Sequence, residues 1–216
     1  MSDTLKAAKF DFYLVKPYFK SLWATFVLPI VIAVIYKSVL FGISLAVCMN
    51  AMFIGYPFSI SEKNGMEKLY GILPISKKHL VFGRYLFICS MCFFVLLFSC
   101  IVHPIILFVI GVPVQLPEIC LAVLFGIVIF SFYTVFQLPG FYKYGSLKGK
   151  AFMYIPILFY LAVILIFAKF NTAVESLFSL VINNPFIAVA TVVFVFILAY
   201  WISITVSIRA LQNKEV

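Results

Sequence analysis

The residues that could carry out chemistry are few, and their spacing does not complete a recognisable site. Cys89 and Cys92 have the C-x-x-C spacing of metal and redox sites, but no second cysteine pair and no nearby histidine completes four ligands. We interpret both as small buried apolar side chains and expect no metal site and no structural disulfide. His79 and His103 lie at opposite ends of one long apolar segment, so they cannot form a joint catalytic site within this chain.

Two glycine-containing segments have part of a phosphate-binding loop. Gly140 and Gly145 have the required spacing, but Ser146 occupies the position that needs a lysine. A second segment places Lys150 one residue too early, and Ala151 follows where Ser or Thr is required. We therefore predict that this chain is not an enzyme and has no catalytic residues. Any energy for uphill transport must come from another chain.

The carboxylates are all predicted to lie outside the hydrocarbon layer of a membrane. They are Asp3, Asp11, Glu62, Glu67, Glu118, Glu175 and Glu215. Transport driven by protons or sodium normally uses an ionisable or coordinating group near the middle of the membrane. The apolar segments offer only neutral groups there, such as Asn50, Thr134 and Gln137. This distribution disfavours an ion-coupled transporter and an intramembrane enzyme.

The composition is that of an integral membrane protein. Of the 216 residues, 65% are hydrophobic and 11% are charged, whereas a soluble domain has about a quarter charged residues. The 26 Phe and 12 Tyr exclude a disordered chain. The net charge of +9 would suggest a nucleic-acid partner in a soluble protein. Here the basic residues lie between apolar segments, so we expect membrane lipid and not nucleic acid as their partner.

Six apolar segments are long enough, or nearly so, to cross a membrane. A hydrocarbon core of about 30 Å needs about 20 apolar residues of helix. The predicted spans are residues 21–36, 38–58, 81–103, 119–138, 152–168 and 186–208. The alternating pattern of a membrane β-barrel is absent. We therefore predict an all-α integral membrane protein with one transmembrane domain, residues 1–216. Pro104 predicts a kink or a short re-entrant piece in the third span.

Residues 1–20 have the pattern of an amphipathic helix at the membrane interface. An apolar stripe lies beside an arc of lysines, and Pro17 predicts a bend. The stripe is Leu5, Ala8, Phe12, Val15 and Phe19, and the arc is Lys6, Lys9, Lys16 and Lys20. No cleavable signal peptide is expected. We expect Arg84 to reach the interface and His103 to be a polar residue at a helix end near the outer surface. With both termini in the cytoplasm, 14 of the 16 Lys and Arg residues lie inside.

The connection between the second and third spans is the richest polar segment. Asn64 can cap a helix with Glu67 as its capping-box partner, and Pro74 ends that helix. Its apolar stripe is Met66, Leu69, Tyr70 and Leu73. Ser76 is then expected to cap the third span. The short helix could lie on the bilayer or dock into a groove of a cytosolic partner, and the residues alone leave both possibilities open.

This connection resembles the loop between spans two and three of small bacterial type-2 ABC permeases. The matching residues are Phe58, the run Ser61-Glu62-Lys63-Asn64-Gly65-x-Glu67-Lys68-Leu69-Tyr70, the step Leu73-Pro74-Ile75-Ser76-Lys77, and Gly83-Arg84-Tyr85. More narrowly, the chain resembles permeases of phenol-soluble-modulin and antimicrobial-peptide exporters. The resemblance implies two permease chains, identical or mixed, with two ABC ATPase chains that bind ATP and Mg²⁺. It also implies a re-entrant element within residues 171–185, and no cofactor in this chain.

The resemblance further assigns the ATPase-docking coupling helix to Glu62, Lys63, Asn64, Gly65, Met66, Glu67, Lys68, Leu69 and Tyr70. We therefore expect the permease subunit of an ATP-driven exporter in the bacterial cytoplasmic membrane. The lack of charge within the spans fits amphipathic peptide or other hydrophobic cargo. The candidate substrate pathway is Asn50, Phe130, Phe132, Tyr133, Phe136 and Gln137. A scaffold or immunity protein that sequesters a membrane-active peptide, and an ATP-independent channel or carrier, remain alternatives.

Overall fold

The protein is a bundle of long helices. The computed structural model describes residues 2–66, 75–155, 158 and 185–213, and these residues form helices without a strand. The α-helices are α1 (Asp3–Val15), α2 (Trp23–Tyr36), α3 (Val39–Met52), α4 (Tyr56–Lys63), α5 (Lys77–Val109), α6 (Leu116–Gly149) and α7 (Pro185–Asn213). Short 3₁₀ helices cover Lys16–Leu22, Phe53–Gly55 and Lys150–Met153. The predicted all-α class is confirmed within the described part of the chain.

Within the described residues, four helical segments are long and apolar enough to cross a membrane. They are Val39–Lys63, Lys77–Val109, Leu116–Met153 and Val193–Asn213. A fifth span is added if Asp3–Lys20 and Thr25–Tyr36 are taken as one broken span. These two helical segments meet at an angle of 62°. The described helices extend past the predicted spans because their polar ends continue the helix beyond the apolar run. Most of the predicted span at 152–168, and most of the re-entrant element at 171–185, lie outside the described residues.

Helix α5 begins as predicted but continues further. The hydroxyl oxygen of Ser76 accepts a hydrogen bond from the backbone N–H of His79 at 3.4 Å, which caps the helix. The helix then runs through Pro104 to Val109, so the re-entrant piece expected after this proline is not found. His103 is only 1% exposed, and its Nδ1 lies 2.9 Å from the carbonyl oxygen of Ser99. The expectation of a polar residue at a helix end was wrong, because His103 lies inside the helix and packs on α3.

Helix α1 packs lengthwise on α5, which corrects the predicted stripe. Its buried residues are Ala7, Ala8, Asp11 and Val15, whereas Leu5 and Phe12 are exposed. Small side chains let two helix backbones approach closely, so they face α5 and the larger residues face outward. The bend predicted near Pro17 lies further along the chain: Asp3–Lys20 continues as one helical segment past this proline, and the 62° bend falls between Lys20 and Thr25.

The closest approach of α1 and α5 is at Gly83. A Cβ atom at this position would lie 2.5 Å from the Cβ of Ala7 and 2.8 Å from the carbonyl oxygen of Thr4. Real Cβ atoms do not approach other atoms so closely. A glycine is therefore required here for the two backbones to touch.

Several chain segments meet at one end of the bundle, which we call the basic end. The Thr4 hydroxyl lies 3.0 Å from Nδ1 of His79, and Nζ of Lys77 donates to the carbonyl oxygen of Gln212 at 3.5 Å. The start of α1, the start of α5 and the end of α7 therefore lie together. The two termini of the described chain are on the same side of the bundle, and their cytoplasmic location stays a prediction.

We expect Gly83→Ala to lower stability although alanine normally favours a helix over glycine by up to about 1 kcal/mol. The added methyl group would overlap α1 and force the helices apart, at a net loss of about 1–3 kcal/mol. The measurement is thermal unfolding in detergent, followed by size-exclusion chromatography. Gly126→Ala is the matched control, because the nearest atoms to its Cβ would be side-chain methyl groups that can shift, at 3.2 Å (Val47), 3.4 Å (Leu96) and 3.7 Å (Ile43), and not the backbone of another helix. Equal losses in both variants would contradict the close approach.

Candidate functional site at the basic end of the bundle

A buried ion pair joins α1 to α5. The guanidinium of Arg84 donates from Nε to Oδ2 of Asp11 at 3.0 Å and from Nη2 to Oδ1 at 2.8 Å. The two side chains are 7% and 4% exposed. Arg84 does not extend to the surface of the bundle, because a carboxylate inside the protein holds it in a two-point contact. Asp11 could not be recognised as its partner from spacing, since 73 residues separate the two.

Aromatic rings from two further helices cover the Arg84 guanidinium. Its central carbon lies 4.4 Å from the ring centre of Phe58 on α4 and 5.9 Å from that of Tyr142 on α6. The two rings contact each other edge to face at 4.9 Å, and Phe58 also stacks on Phe141 at 5.1 Å. A cation over aromatic faces is stabilised most when water is excluded. Four helices therefore meet at one side chain.

The residue after Arg84 binds a different helix. The Tyr85 hydroxyl lies 2.6 Å from the hydroxyl of Ser203 and 3.0 Å from that of Ser207, both on α7. Ser203 in turn donates to the carbonyl oxygen of Val135 on α6 at 2.9 Å. The Gly83-Arg84-Tyr85 motif thus contacts α1 through its first two residues and α7 through the third. These contacts give each residue of the motif a structural role that the sequence could not supply.

Glu62, the first residue of the predicted docking segment, contacts α6. Its carboxylate accepts hydrogen bonds from the Ser146 backbone N–H at 2.6 Å and from the Ser146 hydroxyl. Gly145 interrupts α6 just before, with a φ of +77°, and a Cβ there would lie 2.6 Å from Oε1 of Glu62. Glycine is needed at this position because of the positive φ and because a side chain would overlap the Glu62 carboxylate. Glu62 thereby fixes the end of α4 to the break in α6.

The rest of the docking segment is described only in part. Helix α4 ends at Lys63, the Asn64 N–H bonds to the Ile60 carbonyl oxygen at 3.0 Å, and Gly65 has a φ of +62°. Asn64 therefore closes one helix, and Met66 follows the turn. The predicted role of Asn64 as the cap of the next helix depends on residues that are not described. Glu67, Lys68, Leu69 and Tyr70 lie outside the described residues.

Two of the six predicted pathway residues line one cavity. Asn50 and Phe130 face it together with Phe87 and Met91, at the level of the 3₁₀ turn between α3 and α4. Asn50 is the most polar of the lining side chains. The cavity is thus an apolar space with one amide at its wall.

The other pathway residues are distributed differently. Tyr133 is buried, and its hydroxyl accepts from the Cys48 thiol at 3.7 Å. Gln137 is fully buried, and its amide has no hydrogen-bond partner in the described part of the chain. The rings of Phe132 and Phe136 pack together at 5.3 Å, and Phe136 is partly exposed. The structure does not bring these four residues to the cavity of Asn50 and Phe130.

A comparison with known families identifies the chain. It is an all-helical, multi-pass membrane protein, and the model of the family described as "ABC-2 family transporter protein" matches residues 9–212. The chain therefore belongs to the ABC-2 transporter family. Permeases of this family are the membrane components of transporters, are not themselves catalytic, and normally work with ATPase subunits. No curated protein and no solved structure matches the chain.

We expect Asp11→Asn to destabilise the protein by about 3–5 kcal/mol, because it leaves the buried Arg84 cation without its counter-charge. The combined change Asp11→Leu with Arg84→Met should recover most of that loss, since it removes both charges. The measurement is the thermal midpoint in detergent. Asp3→Asn, which breaks the exposed contact with Lys6, is the control and should leave the midpoint unchanged. A midpoint equally unchanged in Asp11→Asn would show that the buried pair does not hold α1.

Proposed function

We propose that the protein is the permease subunit of an ABC exporter in the bacterial cytoplasmic membrane. It works as a pair of permease chains with two separate ATPase subunits, which bind ATP and Mg²⁺. The pair moves amphipathic peptide or other hydrophobic cargo out of the cell. The observation that carries the proposal is the match to the ABC-2 family over residues 9–212. Resemblance to phenol-soluble-modulin and antimicrobial-peptide exporters supports the choice of cargo.

The ATPase docks on the coupling segment, residues 62–70. The contacts on either side of the connection support this assignment. Glu62 is bonded to Ser146 of α6, and Ser76 caps α5. Both flanking helices, α4 and α5, also contact each other through Phe58 and Arg84. A displacement of the connection therefore reaches α4, α5 and α6 together. Closure of the ATPase pair uses this linkage to switch the cavity between the permeases from inward-facing to outward-facing.

The polar groups of the described spans support apolar or amphipathic cargo. The one buried ion pair among the described residues is satisfied by its own partner, so it offers no free charge to an ionic solute. The cavity beside Asn50 and Phe130 is mostly apolar with one amide. Its lining offers no charged group to an ionic solute.

The combined change Glu67→Ala with Leu69→Ala tests docking. We expect the tagged protein, purified from its membranes in mild detergent with nucleotide, to lose a bound Walker-motif ATPase while it still inserts in the membrane. The reason is that docking of a short helix depends on a few apolar and charged anchors. The amount of ATPase per permease is measured by quantitative mass spectrometry.

Leu116→Ala with Glu118→Ala is the matched control for this test. It changes the same two residue types, two positions apart, at the exposed start of α6. That site lies at the opposite end of the bundle, on the order of 40 Å from Ser146 along the helix. Unchanged ATPase in the Glu67 and Leu69 variant would reject the docking site. A wild-type protein that never carries an ATPase would instead favour the scaffold or immunity function.

Glu62→Gln and Ser146→Ala test the linkage from α4 to α6. We expect each to lower ATP hydrolysis by the purified complex several-fold while the ATPase stays bound, because the Glu62 carboxylate is engaged by Ser146 and serves the linkage to α6, and the rest of the docking segment still holds the ATPase. The double variant should be no worse than Glu62→Gln alone, since Ser146→Ala removes only the hydroxyl half of the contact that Glu62→Gln weakens. Ser90→Ala is the control, because the Ser90 hydroxyl bonds only to Phe87 within its own helix. Additive losses would contradict a shared linkage.

A further inference from the structure

The outward face of α1 carries two lysines that converge on one tyrosine. Nζ of Lys9 lies 5.8 Å from the ring centre of Tyr13, and Nζ of Lys16 lies 6.0 Å from the same ring. All three residues are exposed. At 100° per residue they lie on the side of the helix opposite Ala8, Asp11 and Val15, which face α5. Two ammonium groups and a phenol hydroxyl are thus gathered on one free surface.

The carboxylates of α1 are occupied elsewhere. Asp3 bonds to Lys6 at 3.0 Å, and Asp11 bonds to Arg84. Among the described residues neither Lys9 nor Lys16 has a carboxylate within ion-pair distance. The surface is therefore positive and has no counter-charge from the part of the chain that the structure describes. Its electrostatic complement is an external anion.

The depth of this surface favours a lipid. Helix α5 has 33 residues, about 50 Å, whereas the hydrocarbon core takes about 30 Å. Its far end is apolar, and Phe108 and Val109 there are 78% and 79% exposed among the described residues, which favours a place in the hydrocarbon layer. The first third of α5 therefore lies at the depth of the headgroups. Helix α1 runs alongside that third, as the contacts of Thr4 with His79 and of Asp11 with Arg84 require.

Neighbouring aromatic residues distinguish a lipid surface from a water-soluble partner. Phe12, Tyr18 and Trp23 are 40%, 38% and 70% exposed on the same segment. Exposed aromatic side chains interspersed with lysines are typical of the membrane interface. We propose that Lys9, Tyr13 and Lys16 form a binding site for the phosphate group of an anionic phospholipid. This site is separate from the cargo path and from ATPase docking.

The site is tested by fluorescence quenching at Trp23 in the full-length protein. In a Trp201→Phe background Trp23 is the only tryptophan. Two preparations of phosphatidylcholine nanodiscs are compared. One contains brominated phosphatidylglycerol, and the other contains brominated phosphatidylcholine at the same mole fraction. We expect stronger quenching by the brominated phosphatidylglycerol, because a lipid held at Tyr13 extends its acyl chains past the 3₁₀ helix. The combined change Lys9→Gln with Lys16→Gln should remove this excess quenching. The loss of each lysine should weaken lipid binding about fivefold.

Two controls separate a site from general attraction. Lys143→Gln with Lys148→Gln removes the same charge from exposed positions of α6, where Lys143 also lies over a tyrosine ring, at 5.2 Å from that of Tyr144. It should keep the excess quenching, as should Lys9→Arg with Lys16→Arg. Inorganic phosphate at equal concentration should not compete. The proposal is overturned if both brominated lipids quench the wild type equally, if the control pair loses the excess as well, or if phosphate abolishes it. Equal thermal midpoints in pure phosphatidylcholine would establish that the variants are folded.

Discussion

The ion pair between Asp11 and Arg84 is the constraint on which the basic end of the bundle depends. Each charge is buried, so each is tolerable only beside the other. Helix α1 must therefore lie against α5, and Gly83 must be small for the carboxylate to reach the guanidinium. The ring of Phe58 then covers the pair from α4. A single arginine thus determines the positions of helices that lie far apart in sequence, and the free energy of each contact depends on the others.

The same helices flank the connection, residues 64–76, which the sequence predicts to carry the coupling helix. Helix α4 leads into it and is held by Glu62, and α5 leaves it and is capped by Ser76. Because both helices also meet at Arg84, they cannot move independently near the connection. A force applied to the ends of α4 and α5 would therefore act on one group of helices. Buried charge, which normally stabilises membrane proteins poorly, is useful for this mechanical purpose.

The sequence predicts elements better than their partners, for a physical reason. Long apolar runs define helices in a membrane, so the start of α5 at Ser76 could be predicted from residue types, whereas the bend lies beyond Pro17, between Lys20 and Thr25. Asp11 was predicted to lie at the interface, because nothing nearby in sequence could neutralise it. Its partner is brought to it only by helix packing. His103 was misplaced similarly, since a continuous helix through Pro104 buries it against α3. Docking residues beyond Met66 could be inferred only from resemblance.

The two kinds of polar contact in the bundle predict which helices separate during a transport cycle. Helix α7 is held through hydroxyl groups. Ser203 and Ser207 bond to Tyr85 of α5, and the Tyr200 hydroxyl donates to that of Ser131 on α6 at 3.4 Å. Hydrogen bonds between membrane helices contribute on average only about 0.6 kcal/mol each. Breaking the buried ion pair would cost several times more. Since hydroxyl groups can also exchange partners as helices slide, we expect α7 to move against a unit formed by α1, α4, α5 and α6.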